Sequence, residues 1–417
     1  MQAEIISIGD ELLIGQTINT NAAWMGERLN QSGFRVHRCS VIPDQREEIL
    51  SAMDEALRRS DLVLITGGLG PTKDDITKKT LCEYFDTDLV EDEPSLARIT
   101  AFFESRGLKM LDVNRGQAEV PRGCTVIPNM RGTANGMWFD RNGRVLVSMP
   151  GVPFEMKAMM EESVLPRAMA FFDRPPIVHR TVLTHGVGES FLADMISSWE
   201  DSLAAEQIHL AYLPSPGLVK LRMSSYCDDS KEVVLERMKR KEQELHKIIG
   251  EVVFGYDDDT LASVAGKMLI SRDLTLCVAE SCTGGFLSHL ITSVPGSSEF
   301  FAGGVIAYTY SIKDHQLGVS GELLETEGAV NEATALQMAE GARQRLQTSY
   351  AISTTGIAGP GGGTDENPVG TIWIGIAGPK GSFAKKFKFG KSRERNILMA
   401  SQSGLDLLRK EILTIPV

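Results

Sequence analysis

Paired cysteines are missing from this chain. Its six cysteines, at positions 39, 82, 124, 227, 277 and 282, form no C-x-x-C pair and no Cys/His spacing of a zinc site. That scatter argues against a disulfide framework and for reduced cytosolic thiols, with Cys277 expected in a core. Long apolar runs are missing too: no window approaches about 18 apolar residues. The opening Met1-Gln2-Ala3-Glu4-Ile5-Ile6-Ser7 runs directly into a strand-like stretch, without a basic segment. Neither a membrane span nor a leader is expected, and a cytoplasmic location is. Nor is there a surplus of positive charge. Lys and Arg number 43 against 55 Asp and Glu, giving a formal net charge of -12 and a pI near 5.2. A general binder of nucleic acid or acidic membranes needs a concentrated cationic surface, so direct nucleic-acid contact is not expected. Repeats and low-complexity runs are absent. What remains is ordinary globular material, 42% hydrophobic and 24% charged over 417 residues, enough at roughly 100 to 200 residues per domain for two to four domains.

Strand-like and helix-like segments alternate through the first part of the chain: strands at 3–7, 35–42 and 62–66, helices at 21–31 and 46–58. Such alternation predicts a parallel sheet with helices on both faces. Asp173-Arg174-Pro175-Pro176 then breaks the pattern and reads as a linker. Strands at 180–183, 209–213 and 218–224 with helices at 190–199 and 231–249 follow as a small α+β module. The last of these helices is predicted to bury Val234, Leu235, Met238, Leu245, Ile248 and Ile249 on one face, leaving mixed charges as a solvated one. From about residue 258 the alternation returns. The expected architecture is therefore an α/β protein in three parts: 1–172, a parallel-sheet domain; 173–257, a connector; and 258–417, a second α/β domain.

Two glycine-rich turns carry the chemistry. Thr66-Gly67-Gly68-Leu69-Gly70 follows an apolar strand and leads into Pro71-Thr72-Lys73-Asp74-Asp75. Glycines let backbone N–H groups approach a phosphate, and adjacent carboxylates hold a divalent metal against it. In parallel sheets ligands sit beyond the carboxyl ends of strands, where Gly9-Asp10-Glu11, Asp44 and the Gly67 turn all fall. Taken singly, Asp10 and Asp74 also read as helix caps. The second turn, Ala279-Glu280-Ser281-Cys282-Thr283-Gly284-Gly285, lies between a strand-like 274–278 and a helix-like 286–294. A serine there has N–H groups and a helix start beside it for a developing oxyanion. No G-x-S-x-G elbow and no nearby histidine accompany it, so another base is required, and Lys313 is the candidate.

Gly9-Asp10-Glu11-Leu12-Leu13-x-Gly15, Asn19-Thr20-Asn21, Gly67-Gly68-Leu69-Gly70-Pro71-Thr72-x-Asp74-Asp75 and Met149-Pro150-Gly151-Val152-Pro153-Phe154-Glu155-Met156 resemble the molybdopterin-binding fold of the CinA family. The resemblance implies hydrolysis of ADP-ribose to AMP and ribose 5-phosphate with a divalent metal (Mg2+, Co2+ or Mn2+). It carries over Asp44 and Asp75 as catalytic or metal-linked, either aspartate serving as the base, while Asp10, Asp74 and Asp75 are expected to hold the metal. Gly9, Asp10, Glu11, Asn21, Gly67, Gly68, Gly70, Thr72 and Gly151 are then expected to bind substrate. Glu155 holds a ribose hydroxyl or simply begins a helix over 155–162.

The last segment resembles the nicotinamide mononucleotide deamidase domain that ends CinA-family chains. The match runs through the Ser281 turn, Gly304-x-x-Ala307-Tyr308, Lys313, Leu317-Gly318-Val319, Gly328-Ala329-Val330 and Thr355-Gly356-Ile357-Ala358-Gly359-Pro360-x-Gly362-Gly363. A serine/lysine amidohydrolase is implied, with Ser281 as nucleophile, Lys313 as base, Tyr308 as proton relay or orienting hydroxyl, and no cofactor. Thr283, Gly284, Gly285, Gly356, Ala358, Gly359 and Arg393 are expected around the substrate, Arg393 either at its phosphate or as a surface arginine. Where family members often read Tyr-Ser-Asn-Glu, this chain has Tyr308-Thr309-Tyr310-Ser311, which replaces an amide by Tyr310. His315 offers a second base but is expected to be a surface-helix histidine. The resemblance implies small nucleotides as partners, and the paired domains suggest a homodimer. The competing reading is a nucleotide- or pterin-binding protein of the competence or DNA-damage response, with one or both sites inactive.

Overall fold

The computed structural model describes residues 1–72, 74–173, 177–226 and 229–414; Cys227 and the Arg174-Pro175-Pro176 part of the expected linker lie outside them. By its contacts the chain forms two compact units, Met1–His179 with Ser225–Leu235, and Arg180–Ser224 with Glu236–Val417.

The strands of the first unit are β1 (Gln2–Ile8), β2 (Arg35–Ile42), β3 (Leu62–Thr66), the short β4 (Leu89–Glu91) and β5 (Glu119–Pro121), β6 (Thr125–Ile127), β7 (Gly136–Arg141) and β8 (Arg144–Met149). Six of them form one sheet in the order β2-β1-β3-β8-β7-β6, while β4 pairs with β5. The first four in that order run parallel, as the alternation predicts, and β7 and β6 continue the sheet antiparallel. The hairpin behind this extension turns at Asn142-Gly143, both with positive φ (55° and 77°), the pair that the twist of a two-residue hairpin favours. Successive strand residues serve opposite faces. Ile5, Leu62, Leu64 and Val147 pack with Met25, Leu29 and Met156, whereas Ile6, Val63, Ile65 and Leu146 pack with Ile49, Met53 and Leu81. Burial on both sides explains why β3 reads as the unbroken apolar run Leu-Val-Leu-Ile.

Beyond it come β9 (Val178–His185), β10 (His209–Ser215), β11 (Leu218–Ser225) and β12 (Val253–Tyr256), in the order β10-β11-β9-β12. The helix Lys231–Ile249 follows the sequence expectation in extent. Its buried stripe is narrower: Val234, Met238, Leu245 and Ile249 are buried, but Leu235 and Ile248 are exposed.

The remaining strands are β13 (Leu276–Glu280), β14 (Phe301–Ile306), β15 (Tyr350–Gly356), β16 (Thr371–Gly378) and β17 (Gly381–Lys388), ordered β14-β13-β15-β16-β17. The first three are parallel and the last two antiparallel. β13 starts two residues later than the apolar pattern suggests and runs on to Glu280. One face carries large side chains, Leu276, Val278, Ile352 and Ile374, against Leu269, Leu405 and Leu408. The other carries Cys277, Ala279, Ala351 and Ala377 against Met338, Ala339 and Ala342 of the helix Glu332–Leu346. Small residues there let that helix lie close. A Cβ on its Gly341 would overlap the carbonyl oxygen of Leu317, at the end of the helix Tyr310–Leu317.

In both sheets the chain leaves a central strand to opposite sides, β1 toward β2 and β3, β13 toward β14 and β15. Such switch points open crevices at the carboxyl ends of the strands. Gly9, Asp44, Gly67 and Gly151 follow β1, β2, β3 and β8; Ser281 and Ala307 follow β13 and β14, and Gly356 ends β15.

Gly341→Ala is expected to destabilise the second unit by about 1–3 kcal/mol through overpacking, seen as a lowered thermal midpoint; an unchanged midpoint would show that the two helices separate freely.

Candidate functional site

The first crevice encloses about 380 Å³ and is walled by Gly9, Glu11, Asp44, Gly67, Gly68, Gly70, Asp74, Asp75, Gly151 and Glu155 among the expected residues. Three other expected residues sit around it. Asp10 donates its backbone N–H to Asp44 Oδ2 (3.3 Å). Thr72 donates both its N–H and its hydroxyl to Asp75 Oδ2. Asn21 joins a smaller adjoining recess, where its Nδ2 donates to Gly151 O at 2.7 Å. Neither Asp10 nor Asp74 caps a helix: the caps are Gly9 and Ile76, without side-chain bonds. The glycines are sterically required. At Gly67 (φ 114°) a Cβ would overlap Ile8 O, and at Gly70 it would meet Asp75 Oδ2 at 2.5 Å.

Among the described residues, no Lys or Arg lines this crevice. Burial raises the pKa of Asp44, and the nearby charges of Asp10, Glu11 and Asp74 add to the rise, against the lowering effect of the Asp10 N–H. Mutual repulsion of this kind suits a cation and the phosphate it would carry. Among the described residues no three His, Cys, Asp or Glu side chains converge as a ready cage. A divalent ion would therefore be held by one or two carboxylates, with Asp74 and Asp75 on the wall, and by phosphate oxygens and water.

Two polar wall residues were not anticipated, Gln117 and Thr133. Gln117 Nε2 donates to Leu69 O (3.1 Å), and Thr133 Oγ1 donates to Gln117 Oε1 (2.7 Å). Glu155 accepts from Asn129 Nδ2 at 2.5 Å and sits on the first turn of the helix Pro153–Met159. That helix starts earlier than expected, widens over Met160–Val164 and continues as the helix Leu165–Phe171.

In the second crevice Lys313 Nζ lies 2.8 Å from Ser281 Oγ. The lysine is 1% exposed and the serine 8%. Lys313 Nζ also donates to Ala307 O (2.6 Å) and Tyr308 O (3.3 Å), and no carboxylate is among its partners. Burial without a counter-ion lowers its pKa to about 8. The folded chain thus releases this proton near pH 8 and the unfolded chain near 10.5. The folding penalty of the ammonium is full below pH 8 and fades as pH rises to 10.5.

Gly284 (φ 60°) and Gly285 (φ 100°) curl the turn behind Ser281, and Thr283 faces inward, its Oγ1 2.7 Å from Thr354 Oγ1. The loop that follows β15 leaves the strand paired with β13. Gly356 packs where a Cβ would meet Thr371 O at 2.5 Å. Ala358 O accepts from Asn396 Nδ2 (2.9 Å) and Gly359 O from Arg393 NH1 (2.8 Å). Arg393 also reaches the hydroxyl of Tyr308 (3.4 Å), so it bridges the loop and the tyrosine. The Tyr308 hydroxyl meets Arg393, not Ser281 or Lys313. His315 turns to Ser311 O (2.8 Å) on its own helix. Asn396, fully buried, was missed because nothing in the sequence ties an asparagine in the first turn of the helix Arg393–Leu413 to a loop 38 residues earlier.

Fold and sites together define an α/β protein with a molybdopterin-binding-like domain and a separate serine/lysine crevice. Residues 4–170 match the family described as "Probable molybdopterin binding domain", 179–255 "Damage-inducible protein CinA KH domain" and 258–412 "CinA C-terminal domain". The chain is 45% identical to a CinA-like protein of Flavobacterium psychrophilum over 99% of both chains. It is 40% identical to a putative competence-damage inducible protein of Caldicellulosiruptor saccharolyticus over 99% of this chain and 100% of that one. A crystal structure of CinA from Thermoplasma acidophilum, of unknown function, is 37% identical and covers 40% of this chain and 97% of that one, with a TM-score of 0.37. The chain belongs to the CinA-like family. Among the described residues no helix is long and apolar enough to cross a membrane.

If neutral Lys313 activates Ser281, labelling of Ser281 by phenylmethylsulfonyl fluoride rises about tenfold from pH 7 to pH 9 and then levels; a rate flat across that range would show that Lys313 is not the base.

Proposed function

We propose that this chain is a bifunctional hydrolase of pyridine-nucleotide salvage, releasing ammonia from nicotinamide mononucleotide at Ser281 and cleaving ADP-ribose at the acidic crevice. The observation that carries the reading is the buried, uncompensated Lys313 at 2.8 Å from the Ser281 hydroxyl. At neutral pH a useful fraction of such a lysine is unprotonated. It takes the Ser281 proton as Oγ attacks the carboxamide carbon, and returns a proton to the nitrogen that leaves as ammonia. Water then adds to the acyl-enzyme with Lys313 again as base, giving the carboxylate and free Ser281. The cationic pyridinium makes the carbonyl more electrophilic, and Arg393, beside Tyr308 and Gly359 O, supplies charge toward the 5′-phosphate.

At the first crevice a divalent cation would supply charge neutralisation for a pyrophosphate. This chain's part is to hold the phosphates on the Gly67–Gly70 turn and to orient water with Asp44 or Asp75. The raised pKa of Asp44 suits proton acceptance. Asp75, held by two donors from Thr72, suits a fixed ligand role. AMP and ribose 5-phosphate would leave. A homodimer is part of this reading.

The family description for 179–255 includes the term KH. Direct nucleic-acid binding is not part of the proposal. KH domains clamp nucleotides with a G-x-x-G loop, whereas the glycines here, at 186, 188, 217, 250 and 255, include no two spaced by three. The segment reads as a connector.

The test is ammonia release from nicotinamide mononucleotide and AMP formation from ADP-ribose by the full chain. Ser281→Ala and Lys313→Ala are expected to lower the first by at least about 10²–10⁴-fold and spare the second; Asp75→Ala should do the reverse. A wild-type chain inactive on both substrates, with or without added Mg2+, would leave only the binding-protein reading.

A further inference from the structure

Directly before the nucleophile sits a carboxylate that the reaction scheme does not use. Glu280 ends β13 and is 0% exposed. Its Oε2 accepts the N–H groups of Gly285 (2.9 Å) and Leu287 (3.1 Å), and its Oε1 accepts Ser288 N–H (2.8 Å) and Ser288 Oγ–H (2.6 Å). No Lys or Arg is among these donors. An ionised side chain buried in this way is costly to desolvate and persists only when its acceptor positions are filled. Two other bonds complete the set: Gly284 N–H goes to Ser281 O (3.2 Å) and Phe286 N–H to Thr283 O (3.0 Å). Every N–H from residue 284 to 288 is therefore spoken for inside the turn. Among the described residues, the N–H groups of Cys282 and Thr283 donate to no other residue. The Glu280 backbone is fixed as well. Its carbonyl accepts Ala307 N–H at 2.7 Å, and the Ala307 carbonyl holds Lys313 Nζ at 2.6 Å.

We infer that Glu280 is the positioning residue of the second site: its carboxylate gathers the N–H groups of Gly285, Leu287 and Ser288, fixing the turn so that Ser281 Oγ faces Lys313 while the Cys282 and Thr283 N–H groups are left for the developing oxyanion. This rests on the amide-hydrolase reading of Ser281. Capping a helix start would need one bond; four on one buried carboxylate immobilise the segment that holds the nucleophile, and small misplacement of a reacting group is costly in rate. The inference also separates two tasks that a helix start could combine. The N–H groups at 284–288 are closed to substrate, so charge developing on the carboxamide oxygen falls to those of Cys282 and Thr283.

Glu280→Gln keeps the shape but sets an amide N–H against a backbone N–H. In the full chain, folding being checked by circular dichroism, its kcat for ammonia release is expected to fall about 10- to 100-fold, with KM within about threefold. The pH midpoint near 8 should stay in place, because the burial of Lys313 is unchanged. Labelling of Ser281 by phenylmethylsulfonyl fluoride should slow in parallel. Ser288→Ala removes one bond and should lower kcat in the same direction by a smaller factor; it decides the matter if Glu280→Gln does not fold. A kcat within about twofold of wild type in the folded variant, or a loss confined to KM, overturns the role of Glu280 alone. A wild-type chain that neither releases ammonia nor is labelled at Ser281 overturns the hydrolase reading, and this inference with it.

Discussion

A lysine ammonium enclosed without a counter-ion, its Nζ 2.8 Å from a serine hydroxyl, is the constraint around which the second unit is arranged. Such a group opposes folding at neutral pH, because burial disfavours its charge. It is tolerated because two carbonyls, Ala307 O and Tyr308 O, accept its protons and because the adjoining sheet buries apolar side chains on both faces. The Cys277, Ala279, Ala351 and Ala377 face admits the Glu332–Leu346 helix closely. That helix in turn presses on the Tyr310–Leu317 helix that carries Lys313. Stability given up at one side chain is supplied by apolar burial elsewhere, a common arrangement at strained functional sites.

The first unit solves a different electrostatic problem with the same architecture. Its crevice collects carboxylates, whose mutual repulsion a bound cation would relieve. In the second unit the turn after the central strand presents a nucleophile; in the first, the turns present backbone and acids. Both rely on parallel strands whose carboxyl ends diverge at a switch point. Glycine is required where the backbone must pass close to a neighbour, as at Gly67 against Ile8 O.

Much of this was legible in the chain itself. A buried parallel strand reads as a continuous apolar run, so β3 fell where the pattern placed it; the more exposed edge strand β2 and the helix Lys231–Ile249 did as well. The Ser281 turn, Lys313 and the Gly67 turn stood out because few structural tasks need those residue types in that order. The β7–β8 hairpin was missed although Asn142-Gly143 marks it, since its strands lack the alternation that signals a half-exposed sheet: β7 is buried over its first four residues.

By itself, the sequence determined the α/β class, the family, the glycine turns and the identity of the candidate nucleophile and base, because these depend on local pattern and residue chemistry. Only the tertiary structure decided which groups meet: that Tyr308 turns to Arg393, that Asn396 and Gln117 brace the two crevices, and that Glu280 binds the start of the next helix. The first three of these pair residues distant in the chain, and the Glu280 contacts depend on how the turn curls; neither leaves a periodic trace. Their pairing follows from how the strands are ordered across each sheet and how closely the helices pack on it, and the lowered pKa of Lys313 follows from the burial that results.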